Sequence, residues 1–161
     1  MKRRRAGDIF EKPRLTPRQM IAVAELRFGD AEALLKSRQA ARTNGAMYMC
    51  GFVIEVLLKM QVLRKYPTLG RQRRGQESPA EIKVRNLVYR SHDLDALLSE
   101  SDVLMAAIKS AADDARVPYD EWLKTICGNW TVYARYSPKL ATREEAVRML
   151  DHVRVLKELM K

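Results

Sequence analysis

The stretch AMYMCGFVIEVLLKM, residues 46–60, constrains this chain more than any other part of it. Wound as a helix, its first half is apolar nearly all round, through Met47, Tyr48, Met49, Cys50, Phe52, Val53 and Ile54. A helix without a polar face must lie in the middle of others, so the rest of the chain has to supply helices that surround it. Gly51 would let a neighbouring helix approach closely. Glu55 and Lys59 interrupt the run at i,i+4 spacing, where opposite charges pair on one face. Those charges, and the length of the run, argue against a bilayer span.

Helix starts are marked with equal clarity. TPRQ (16–19), SPAE (78–81) and TREE (142–145) each place Ser or Thr three residues before Gln or Glu. This is the capping box, in which two side chains satisfy free N–H groups of the first turn. Two of the three also carry Pro at the first helical position, where its missing N–H costs nothing.

The spacing predicts a first helix from Pro17 to about Ser37, with Met20, Ala24, Phe28, Ala31 and Leu35 on one face. RTNG (42–45) reads as a turn with Asn44 as cap, and a second helix runs from about Gly45 to Tyr66. A third covers Pro79 to about Tyr89. Ser91 caps a short helix carrying Leu94, Leu97 and Leu98, and Asp102 opens another with Leu104 and Ile108. Residues 117–137 read as one or two short helices interrupted near Gly128. A last helix follows Thr142, with Ala146, Met149, Leu150, Val153, Leu156 and Met160 on one face. Residues 1–14 read as a basic flexible tail and 67–78 as a flexible basic loop. No run alternates as a strand, so the expected class is an all-α, up-and-down helical bundle of about five to six helices in one domain, residues 15–161.

The charge is +10 and locally placed. Residues 1–20 contribute +5 and residues 61–90 contribute +6, leaving −1 for the remainder. Such an excess suits a polyanion: RNA, a nucleotide or an acidic protein partner. The candidate basic patch comprises Arg64, Lys65, Arg71, Arg73, Arg74, Lys83, Arg85 and Arg90. The two cysteines, Cys50 and Cys127, sit in apolar helical stretches and read as buried free thiols of a reducing cytoplasm. MKRRR is not followed by the apolar segment of a secretory signal.

AMYMCGFVIEVLLK resembles the second helix of HEPN domains through Ala46, Tyr48, Gly51, Glu55, Leu58 and Lys59. SHDLDALL (91–98) is similar to the Ser/Thr-His-Asp-Leu helix start of one HEPN branch. YARYSP with ATREEA (133–146) resembles the Arg-Tyr-Pro segment of that branch, with Arg135 and Tyr136 in place and Ser137 where its proline is usual. The resemblance implies a small helical bundle, commonly a homodimer, in prokaryotic defence or toxin–antitoxin settings, often beside a minimal nucleotidyltransferase. Many members are metal-independent ribonucleases whose motif is Arg, four to six residues, then His, paired across a dimer axis. Arg85 and His92, with six residues between them, match that spacing. Arg90 stands where the active branches usually place His, and Leu94 falls where their Tyr follows. The His-Asp-Leu branch usually shows no evident catalysis.

Metal-free RNA cleavage needs a base for the 2′-hydroxyl, an acid for the leaving oxygen and positive charge on the phosphorane. A histidine supplies the first two and an arginine the third. Three readings therefore stand: a binding module for RNA, a nucleotide or an acidic partner; an endoribonuclease toxin using Arg85 and His92; and a structural subunit for a nucleotidyltransferase. Against catalysis, a structural role for His92 in the first turn of a helix, hydrogen-bonded locally, is the favoured reading. His152, on the last helix with Arg148 one turn before it, reads as structural. Two His and two Cys, widely scattered, make no zinc site, and LGRQRRGQ lacks the ending of a phosphate loop, so no cofactor is implied. Trp122, Trp130 and Tyr133 fit core packing better than base stacking.

Overall fold

All three capping boxes form. Thr16, Ser78 and Thr142 accept from the third backbone N–H of their helices, and Gln19, Glu81 and Glu145 reach back to the caps. They open α1 (Pro17–Lys36), α3 (Pro79–Arg90) and α7 (Arg143–Leu159). Between them lie α2 (Thr43–Lys65), α4 (Leu94–Ser99), α5 (Asp102–Ala115) and α6 (Tyr119–Asn129). The computed structural model describes residues 15–69, 78–115, 119–130 and 137–160. The expectations for the tail 1–14, for most of the loop 67–78 with Arg71, Arg73 and Arg74, and for Tyr133, Arg135 and Tyr136 lie outside the described residues.

The class is all-α, a helical bundle. Among the described residues there are seven α-helices and no strand; α4 and α5 are separate helices, as the sequence predicts, and counting each short segment as its own helix takes the number above five or six. α1 buries the five residues its spacing marks: Met20, Ala24, Phe28, Ala31 and Leu35. α7 buries Ala146, Met149, Leu150, Val153 and Leu156, with Met160 buried just beyond it.

α2 is the central helix, packed against α1 along most of its length and against α7, α4 and α3. It is longer than its apolar run suggests. Together with the turn that leads into it, Ala40–Lys65 spans 26 residues and contains an 18-residue window of mean hydropathy 1.6, long and apolar enough to cross a membrane, and 67% of that window is buried inside the bundle. What approaches Gly51 is the indole of Trp130 rather than a helix backbone. A Cβ on Gly51 would stand 1.9 Å from Trp130 Nε1. Tyr48, one turn earlier, stacks on the same indole at 5.7 Å.

Asn44 does not cap α2. A single 3-10 turn, Ala40–Arg42, carries the chain into the helix, which leaves Asn44 inside it. Its amide instead holds the segment that leads into α7, donating to Lys139 O at 2.6 Å and accepting from Ala141 N at 2.7 Å. Two further long-range bonds close helix ends. Arg143 donates to Leu35 O at the end of α1 (2.6 Å), and Arg64 donates to Met160 O at the end of α7 (3.1 Å). Where α1 crosses α7, Lys157 pairs with Glu25 and Arg154 with Glu32, and both cations lie over the ring of Phe28.

Candidate functional site: a buried carboxylate beside a basic groove

Glu55 is 2% exposed in the middle of the apolar helix. A carboxylate taken out of water must be paired and hydrogen-bonded, or it destabilises the fold. Both oxygens are used. Lys59, one turn on, donates to Oε1 at 2.7 Å. His92 Nδ1 lies 3.0 Å from Oε1 and 3.0 Å from Oε2. Lys59 also donates to Ser91 O at 2.8 Å. The segment joining α3 to α4 is thus tied to α2 at two consecutive residues.

An ionised carboxylate only accepts, so Nδ1 of His92 carries the proton in this contact. In the neutral ring, Nε2 is then the lone-pair nitrogen. The His92 side chain is 57% exposed while Glu55 is 3% exposed, which describes an imidazole anchored on one side and open to solvent on the other. A base held in orientation by a buried acid is a recurring catalytic arrangement, and it is equally a structural clasp.

Ser91 is not the cap of α4. Asp93, immediately before the first helical residue, accepts from Ala96 N at 2.9 Å, and Ser91 Oγ accepts from Asp93 N at 3.0 Å. Asp is as good a cap as Ser and stands at the right position, two residues closer to the helix.

Beside this clasp, α3 and α4 enclose an open groove of about 600 Å3. Lys83, Asn86 and Arg90 line it from α3, Ser91 from the joining segment, Ser99 from α4 and Glu100 from the cap just beyond it. Residues 83, 86 and 90 fall on one face at helical spacing. Lys83 and Arg90 are exposed, whereas Asn86 Oδ1 is buried and meets no hydrogen-bond donor among the described residues. Glu100 accepts from Tyr66 Oη at 3.2 Å and lies 3.8 Å from Lys65 Nζ, so its charge is partly balanced from behind.

The predicted basic patch is therefore divided. Lys83 and Arg90 share the groove. Arg85 is half-buried on α3, and the partner of His92 is Glu55 rather than Arg85. Arg64, exposed at the end of α2, donates to Met160 O at the end of α7 and lies outside the groove lining. Lys65 pairs with Asp102 at 3.1 Å, and that hydrogen bond holds its ammonium above the ordinary lysine value. The other histidine is remote in role: His152 packs edge-on to Trp122 at 4.7 Å, and burial holds it below the usual histidine value. Burial pushes the thiols of Cys50 and Cys127 up to about 12, which leaves them protonated and unreactive as nucleophiles. Among the described residues no group of three His, Cys, Asp or Glu side chains is placed to hold a metal ion.

Sequence spacing did not place Glu55 and Lys59 in the site. The signal was available as an acid inside an otherwise apolar helix, a position that a chain keeps only when a partner meets it. Compared with known proteins, the chain matches no family model, and no curated protein and no solved structure is significantly similar to it.

Proposed function

We propose that this chain is a helical RNA-binding module of the HEPN kind, working in the cytoplasm as a homodimer within a prokaryotic defence or toxin–antitoxin system. The observation that carries the reading is the groove between α3 and α4, where Lys83 and Arg90 stand exposed on one helix face over a volume suited to a nucleotide-sized group. Exposed cations at fixed spacing favour phosphates, and the local excess of charge in residues 61–90 adds long-range attraction. The buried free thiols support a reducing compartment. The resemblance of residues 46–59 and 91–98 supports the HEPN assignment, the dimer and the setting.

The test is fluorescence anisotropy with a labelled single-stranded RNA. Two to three phosphate contacts weaken binding by about tenfold between 50 and 200 mM salt. Replacing Lys83 and Arg90 together by Ala should weaken binding and lower the salt slope by about 1.4, ~0.7 for each phosphate contact on a single strand. A salt-independent affinity, or a double variant that binds as the wild type does, would overturn the reading.

A second reading is favoured by one specific contact. The clasp of His92 by Glu55 leaves Nε2 open to solvent, which suits a base or acid in metal-independent RNA cleavage, with Arg85 the candidate for phosphorane charge. It predicts RNA cleavage in EDTA that disappears in His92→Ala. Equal absence of cleavage in both proteins, with binding retained, decides for the binding module.

A further inference from the structure

The groove between α3 and α4 combines two kinds of group that serve different parts of a ligand. Lys83 and Arg90 are separated by about 10 Å along the helix axis, seven residues at helical rise. Between them lie two neutral polar side chains, Asn86 and Ser99. Asn86 Oδ1 is buried in the free protein and meets no donor among the described residues, so it serves a ligand only when the amide turns about its terminal torsion. Ser99 donates its hydroxyl proton to Asp95 O at 2.9 Å, which leaves its oxygen lone pairs to accept from elsewhere. An amide oxygen without a partner costs stability, and the soft terminal torsion of Asn lets it turn towards a donor that enters the groove. The ligand that matches must offer negative charge at both ends and a neutral donor in the middle.

The backbone of DNA offers phosphates and ether oxygens, all of them acceptors. The backbone of RNA adds one donor per residue, the 2′-hydroxyl, set between consecutive phosphates. Base amino groups are donors too, but a base bound in a groove wants an aromatic face to stack on. The apolar lining among the described residues is Leu87 and Ala96, with no aromatic ring. We infer that this groove holds the ribose–phosphate backbone of RNA, with Asn86 accepting from a 2′-hydroxyl between phosphates held by Lys83 and Arg90. Recognition is then selective for RNA over DNA and indifferent to base sequence. The inference rests on the RNA-binding reading above and sharpens it to the part of the polymer that is read.

The experiment compares four labelled 12-mers at low salt on the full chain: oligo-U, oligo-A, oligo-dT and fully 2′-O-methylated oligo-U. The expected order is oligo-U and oligo-A alike, with oligo-dT and the 2′-O-methyl polymer weaker by about tenfold, the worth of one net hydrogen bond. Asn86→Ala should bring RNA down to the DNA level and leave DNA binding as it was. Methylated and unmodified RNA binding equally well would overturn the inference while leaving the RNA-binding reading in place, as would a strong preference between oligo-U and oligo-A. No binding of any 12-mer would overturn both. Should Asn86→Ala fail to fold, the methylated ligand on wild-type protein decides the question alone.

Discussion

α2 and α3 both face the candidate site, and they are built on opposite principles. α2 buries thirteen of its 23 residues, including the carboxylate that anchors His92. α3 buries two of its twelve, Val84 and Val88, and presents half of the groove's polar residues, both of its cations among them. The fixed half of the site comes from the helix that is least able to move. The ligand-facing half comes in large part from a helix with only two buried residues to hold it. Segments with few buried apolar contacts open locally at low free energy, whereas the best-buried helix opens only when the whole domain does. A groove wall of this kind can adjust to a polymer while the clasp on Glu55 keeps its base in place.

The comparison breaks most visibly at Glu55. Glu55→Ala leaves the Lys59 ammonium buried without its partner and should cost about 3 kcal/mol or more in urea unfolding. A loss under about 1 kcal/mol, the size of an exposed pair, would show that the clasp is peripheral to the fold. Packing gives the next contrast. Leu58→Ala in α2 should cost about 3 kcal/mol and Val88→Ala in α3 about 1–2, and α3 amides should exchange hydrogen by local opening well before those of α2. Equal protection of the two helices would erase the distinction.

The smallest effect concerns pH and the well-buried side of the molecule. Burial lowers the affinity of His152 for a proton relative to its ordinary value of 6.5. Above that value the ring is neutral whether the chain is folded or not, and pH has no effect through it. Below it the unfolded chain takes up a proton that the folded state resists, so stability falls as the solution is acidified. His152→Phe should lose less melting temperature than the wild type when pH is lowered through and below 6.5. An identical acid response in the two proteins would show that the ring is not desolvated as its packing against Trp122 indicates.

Much of the fold was legible because its signals are local. A capping box is complete within four residues, and the five buried positions of α1 follow from helical period alone. The misreadings share another cause. Asn44 looks like a cap until residues 137–141 are laid against it, and the bond of Arg64 to the end of α7 joins residues 96 apart. Glu55 and His92 are 37 residues apart, and no spacing rule joins them. Of the candidate site, sequence located His92, Lys83 and Arg90. The acid that orients the histidine and the acceptor between the cations depend on how separate helices dock.

The crossing of α1 and α7 has a consequence in time. Its ion pairs join residues 122 and 132 apart, and the arginine bonds at the helix ends span 96 and 108. Loop closure over such distances must precede any gain from those contacts, so they belong to the slow part of folding. α1 and α2 are neighbours in sequence and can pair first, with α7 arriving late to fasten both. Substitutions at Arg154 or Lys157 should then mainly quicken unfolding, while substitutions in the interface of α1 with α2 slow refolding.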